Sequence, residues 1–164
     1  MTEIDFHFNA SDKVRHTCRL VRKAVGRGAR VVIVADEELL TQLDMALWQL
    51  SAVDFIAHCR DNAAPEVLAR SPVVLASDGR AAALPHLQVL VHLGRTVPDG
   101  FERFERLIEI VSEQEDDRQA GRVRWRHYAT RGYMLNREDL RADVANAAIS
   151  SHASVAPAGR EGDA

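Results

Sequence analysis

Val31-Val-Ile-Val-Ala35 is a run of five residues without one polar side chain. A β-branched run of this kind suits a central strand covered on both faces, because a strand with one wet face alternates apolar and polar residues instead. Residues 73–77 and 89–93, each apolar but for one residue (Ser77 and His92), are two more candidates for buried strands. Near the start, Ile4, Phe6 and Phe8 alternate with Asp5, His7 and Asn9. This period of two predicts a strand with one face more buried than the other. Between the strands the spacing turns helical. Ser11 and Asp12 are N-cap residues ahead of Val14, Cys18, Val21 and Val25, and Gly26 or Gly28 ends that helix. Asp36, Glu37 and Glu38 open a second helix running to about residue 50, with carboxylates at the positive end of its dipole.

Strand and helix alternate, which predicts an α/β chain: a three-layer α/β/α sandwich on a mostly parallel sheet. The rest is expected as follows. Residues 55–58 form a strand or turn, 60–71 a loop, and Asp78-Gly79 a turn. Pro98-Asp99-Gly100 leads into a helix with Phe101, Phe104, Ile108 and Val111 on one face. The acidic residues Glu113, Glu115, Asp116 and Asp117 precede a basic helix over 118–131, closed by Gly132-Tyr133. A short helix covers 138–149. Residues 1–149 make one domain, and 150–164, rich in Ser, Ala, Gly and charge, a disordered tail.

The chain has 164 residues, enough for a core without metals or disulfides. Its net charge of −3 argues against duplex DNA, whose binders carry a basic excess. Cys18 and Cys59 are expected to be reduced thiols. The N-terminus lacks an apolar run of signal-peptide length, and no stretch approaches the roughly 20 apolar residues of a membrane span, so the cytoplasm is the expected location. The fold is Rossmann-like, yet the loop after the first strand, Asn9-Ala-Ser-Asp-Lys13, has no glycine to bring backbone N–H groups to a phosphate. Asp36, Glu37 and Glu38 would repel one. Gly94-Arg95-Thr96 is the best remaining anion site, and a weak one. His58 and Cys59 point to opposite faces of a strand, and no C-x-x-C, H-E-x-x-H or Gly-x-Ser-x-Gly pattern occurs. No cofactor, metal or catalytic residue is expected.

Two features stand out. On the second helix Leu39, Leu43, Ala46, Leu47 and Leu50 form one stripe, and Trp48 falls nearly opposite its centre. A wet indole forgoes a large burial gain, so another segment or a partner covers it. On the basic helix Arg118, Arg122 and Arg126 stack at i, i+4 and i+8 with Trp125 beside them. Such a row is either a solvated charged face or a surface for carboxylates, which arginine grips bidentately.

Taken in order, the aromatic first strand Ile4-Asp-Phe-His-Phe8, the run Val31-Val-Ile-Val-Ala-Asp-Glu37, Leu43-Asp44 with Ala46-Leu47-Trp48, Asp54-Phe-Ile-Ala-His58, the strand near Val89, Phe101 with Phe104, and Tyr128 to Gly132-Tyr-Met-Leu-Asn136 resemble the chi subunit of bacterial DNA polymerase III. The resemblance covers residues 2–136. It implies a non-catalytic accessory subunit of the replicase. Such a subunit binds the acidic C-terminal tail of single-stranded DNA-binding protein (SSB), which ends in phenylalanine with a free carboxylate. By local matching, Trp48, Phe55 and Val111 form the ring pocket and Arg122 the carboxylate clamp, with Arg118, Arg126 and Trp125 nearby. A second partner implied, where present, is the clamp-loader accessory subunit psi. The resemblance leaves 60–71, Ser112-Glu-Gln-Glu115 and the chain past Arg141 unmatched. Two other functions fit the residues: a nucleotide-binding enzyme on the same fold, and a direct binder of single-stranded nucleic acid through the Arg–Trp helix.

Overall fold

The computed structural model describes residues 1–50, 55–79 and 84–141. Seven strands form one sheet: β1 (Glu3–Ala10), β2 (Val31–Val34), β3 (His58–Arg60), β4 (Val73–Ala76), β5 (Val89–His92), β6 (Arg106–Ser112) and β7 (Leu135–Asp139). Their order is β3-β4-β2-β5-β6-β1-β7, and every pairing is parallel. Four helices pack on it: α1 (Lys13–Gly26), α2 (Glu37–Gln49), α3 (Pro65–Arg70) and α4 (Glu115–Thr130).

The apolar runs behave as a doubly covered sheet requires. In β2, Val31 and Ile33 point into one core with Cys18 and Val21 of α1 and Leu40, Leu43 and Leu47 of α2. Val32 and Val34 point the other way, into a core with Leu68 of α3 and Tyr128 of α4. Asp12 caps α1 through its side chain, accepting from the Arg15 N–H. That helix ends at Gly26, and Gly28 takes the left-handed φ of +83° that turns the chain back. Asp36 caps α2 in the same way, accepting from the Leu39 N–H.

Four expectations are corrected. Both faces of β1 are buried from Ile4 to His7, because Asp5 and His7 are satisfied internally: Asp5 accepts from Arg106 and Asn136, and His7 meets His16 and Glu138. Residues 60–71 are not all loop. Pro65 starts the short helix α3 at a position where its missing N–H costs nothing, and Leu68 buries. The helix expected after Gly100 is a single 3-10 turn (Phe101–Arg103) followed by β6. The 3-4-3 spacing of its apolar residues mimics a helix, and the charge of Glu109 interrupts what is otherwise a strand run. Finally, β7 ends at Asp139, so no helix begins at Glu138; Leu140 and Arg141 are helical, and 142–164, with the expected tail, lie outside the described residues.

Glu109 is fully buried on the face of β6 that meets α4. It is held between the His92 ring on β5 and Arg124 on α4, and Arg124 also donates to the Arg95 carbonyl at 2.8 Å. Burial alone would raise the Glu109 pKa, but the charge and hydrogen bonds of His92 and Arg124 outweigh it and hold the carboxyl below its ordinary 4.5. Asp117 is likewise pushed up by burial and pulled down further by the Ser112 N–H and Lys13, ending below 3.8. Both groups therefore stabilise the fold above the unfolded values, and that stability is lost as pH falls below about 4.5 for Glu109 and below about 3.8 for Asp117. Removing the cation by Arg124→Met strands a buried charge and is expected to cost about 3–5 kcal/mol in urea denaturation at neutral pH. A cost near 0.5 kcal/mol, typical of surface changes, would show that the pair does not anchor α4.

Candidate functional site

The start of α4 is fixed by Asp117, which accepts from the Ser112 N–H at 2.7 Å and the Lys13 ammonium at 3.0 Å. Its middle is fixed by Arg124. Its last turn is held by Tyr128, which is buried and meets Phe6, Phe101 and Tyr133 edge-on. These three anchors settle which side of α4 faces the sheet beyond β6.

A cavity of about 290 Å³ opens there, between α4 and strands β1, β6 and β7. Phe6, Phe8 and Val111 come from the sheet, Arg118, Gly121, Arg122 and Trp125 from α4, and Arg137 from β7. The volume is at the lower limit of small-ligand pockets, roughly 300 Å³. It suits one aromatic side chain better than a nucleotide. Trp125 packs edge-on against Phe6 with ring centroids 5.1 Å apart, so the indole is part of the wall. Gly121 lets the helix close on the strand: a Cβ there would sit 3.0 Å from a Val111 methyl. Arg118 and Arg122 flank the opening, and both face the carboxylate of Glu115, at 3.8 and 3.6 Å. Arg137 lays its guanidinium over the Phe8 ring, 4.7 Å from the centroid.

The structure thus brings together four of the seven residues expected at one site: Val111, Arg118, Arg122 and Trp125. Arg126 is exposed on the same helix and does not line the cavity. Trp48 and Phe55 lie elsewhere, which corrects the expectation of a single pocket. Trp48 is on α2, and α2 packs on the opposite face of the sheet from α4, over β3 and β4. The core stripe of α2 occupies its other side, so Trp48 is 58% exposed and Phe55 66%. Their rings meet at 5.2 Å, tilted by 44°, and Trp48 also meets the His58 ring, which Asp44 holds at 2.9 Å. In Gly94-Arg95-Thr96, Arg95 pairs with Asp116 at 2.8 Å on the surface. No cluster of metal-ligating residues occurs among the described residues, and none of their helices is long and apolar enough to cross a membrane.

Phe6, Phe8, Gly121 and Arg137 were not foreseen at the site. The two phenylalanines were legible only as a strand face. Gly121 could be noticed as a small residue inside the Arg-rich helix, but Arg137 carried no signal.

The family described as DNA polymerase III chi subunit, HolC, matches residues 1–136, a stretch that spans every wall of the cavity except Arg137. The chain belongs to this family. It is also 32% identical over 140 residues to DNA polymerase III subunit chi of Pseudomonas aeruginosa, covering 82% of this chain and 94% of that one. Membership of the chi family places the chain in DNA replication, as an accessory subunit of DNA polymerase III.

An indole more than half exposed contributes little to the fold. Trp48→Ala is expected to cost less than about 1 kcal/mol in urea denaturation, against about 3–5 kcal/mol for a buried tryptophan. A loss in the larger range would make Trp48 a core residue.

Proposed function

We propose that this chi-family chain is a non-catalytic adaptor that binds the acidic C-terminal tail of SSB in the cavity under α4 and couples it to the clamp loader. One observation carries the reading: an aromatic-floored cavity of side-chain size has guanidinium groups on its rim. A chain-terminal phenylalanine needs both features. Phe6, Phe8, Val111 and Trp125 would take its ring, and Arg122 its free carboxylate. Arg118, one turn away, would meet an upstream acidic residue, and Arg126 the acidic residues beyond the cavity.

Direct binding of single-stranded nucleic acid is less well supported. Base stacking needs an open aromatic face, whereas Trp125 is half-buried against Phe6.

An adaptor also needs a second contact that leaves the first free. The exposed Trp48–Phe55 pair lies on the other face of the sheet. We assign it to the second accessory subunit, psi, where one is present; both partners could then be held at once. A cytoplasmic location follows from that role.

Arg122→Ala is expected to weaken binding of an SSB tail peptide by about 1.5–3 kcal/mol, the scale of a charge-assisted hydrogen bond. Amidating the peptide's C-terminus should cost a similar amount, and added salt should weaken binding to the native chain. Trp48→Ala should leave the tail affinity unchanged. Isothermal titration reads all four. Unchanged affinity in Arg122→Ala together with a loss in Trp48→Ala would move the tail to the other face.

A further inference from the structure

We infer that Arg137, on the edge strand β7, is a further carboxylate-reading residue of the cavity, supplied by the sheet and not by the helix that carries Arg118 and Arg122. The inference rests on the tail-binding reading and adds to it a residue that the α4 pattern does not include.

Three observations carry it. First, the register of β7 fixes where Arg137 points. It pairs across from Phe6 of β1, and Leu135, two residues earlier, packs into the core on the α4 side. Alternation then sends Arg137 to the same side, while Asn136 and Glu138 go to the opposite face and meet Asp5 and His7. Second, the guanidinium is pre-positioned. It sits over the Phe8 ring, 4.7 Å from the centroid, a contact that does not use its N–H donors. Third, those donors are available. Arg118 and Arg122 already face Glu115, and Arg124 is committed to Glu109. Among the described residues, the Arg137 guanidinium makes no hydrogen bond or ion pair. It is therefore the rim cation that an incoming carboxylate reaches without displacing an internal one.

The ligand feature implied is a peptide end bearing two carboxylates around one aromatic ring, one for each side of the cavity. Arg122 and Arg118 read carboxylates from the α4 side alone; Arg137 adds a reader on the β7 side.

The test is a double-mutant cycle by isothermal titration on the full chain. Arg137→Met keeps an apolar stem over Phe8 and removes the charge. Its binding to the tail peptide is compared with that to two altered peptides, one amidated at the C-terminus and one with the last aspartate replaced by asparagine. The expected result is a loss of about tenfold with the native peptide, shrinking towards none with one of the altered peptides. That peptide names the carboxylate Arg137 reads. A loss that stays the same with all three peptides would make Arg137 a structural residue and overturn the inference. Native affinity in Arg137→Met, with Arg122→Ala still weakened, would overturn it while leaving the tail reading in place. Native affinity in both variants would remove the tail reading and this inference together.

Discussion

A carboxylate with no exposed surface is tolerable only when every charge around it is matched, and Glu109 sits in that position at the centre of β6. His92 meets it from the neighbouring strand and Arg124 reaches down from α4. The rest of the α4 layer follows from this contact. It fixes the rotation of the helix about its axis, so Gly121 and Trp125 face the sheet while Arg122 stays at the solvent edge. The cavity is thus set by a polar pair a turn away from it. An apolar contact at the same place would hold α4 down but would specify its rotation less sharply, because dispersion is non-directional and a guanidinium fork is not.

The two faces of the sheet carry different surface features. On the α1–α2 face, Leu40, Leu43 and Leu47 cover the central strands and leave Trp48 outside, near the β3 edge. On the α4 face, aromatic residues from β1 extend past the core into an open cavity. Strands β2 and β5 lie between the β4 and β6 regions on which these features rest. In the proposed adaptor role, such separation would let one face be occupied without blocking the other.

Much of the fold was legible because its strongest signals are local. The unbroken apolar runs at β2 and β4, and the nearly unbroken one at β5, suit a sheet covered on both sides, and Asp12 and Asp36 mark their helices through cap chemistry that needs no tertiary context. The misread element, β6, failed for a long-range reason: the charge on Glu109 breaks its pattern, and its partners lie elsewhere, His92 on β5 and Arg124 on α4, 15 residues later. On the site, the helical wheel placed Arg118, Arg122 and Trp125 correctly relative to one another, since all lie on one element. It also showed that Trp48 points away from the core. It had no means of showing that the two outward faces belong to opposite sides of the sheet, which depends on crossover topology. Arg137 was invisible for the same reason: its place in the cavity is set by β7 pairing with β1, across more than a hundred residues of chain.

The central assignment is that the acidic tail enters between α4 and the sheet. Titration of the isotopically labelled chain with the SSB tail peptide, followed by amide and indole resonances in heteronuclear NMR spectra, tests it most directly. The assignment predicts progressive shifts in the Trp125 indole N–H and in the amides of Phe8, Val111, Gly121 and Arg122, with the Trp48 indole N–H unmoved. Shifts centred on Trp48 and Phe55, with Trp125 unchanged at saturating peptide, would contradict it.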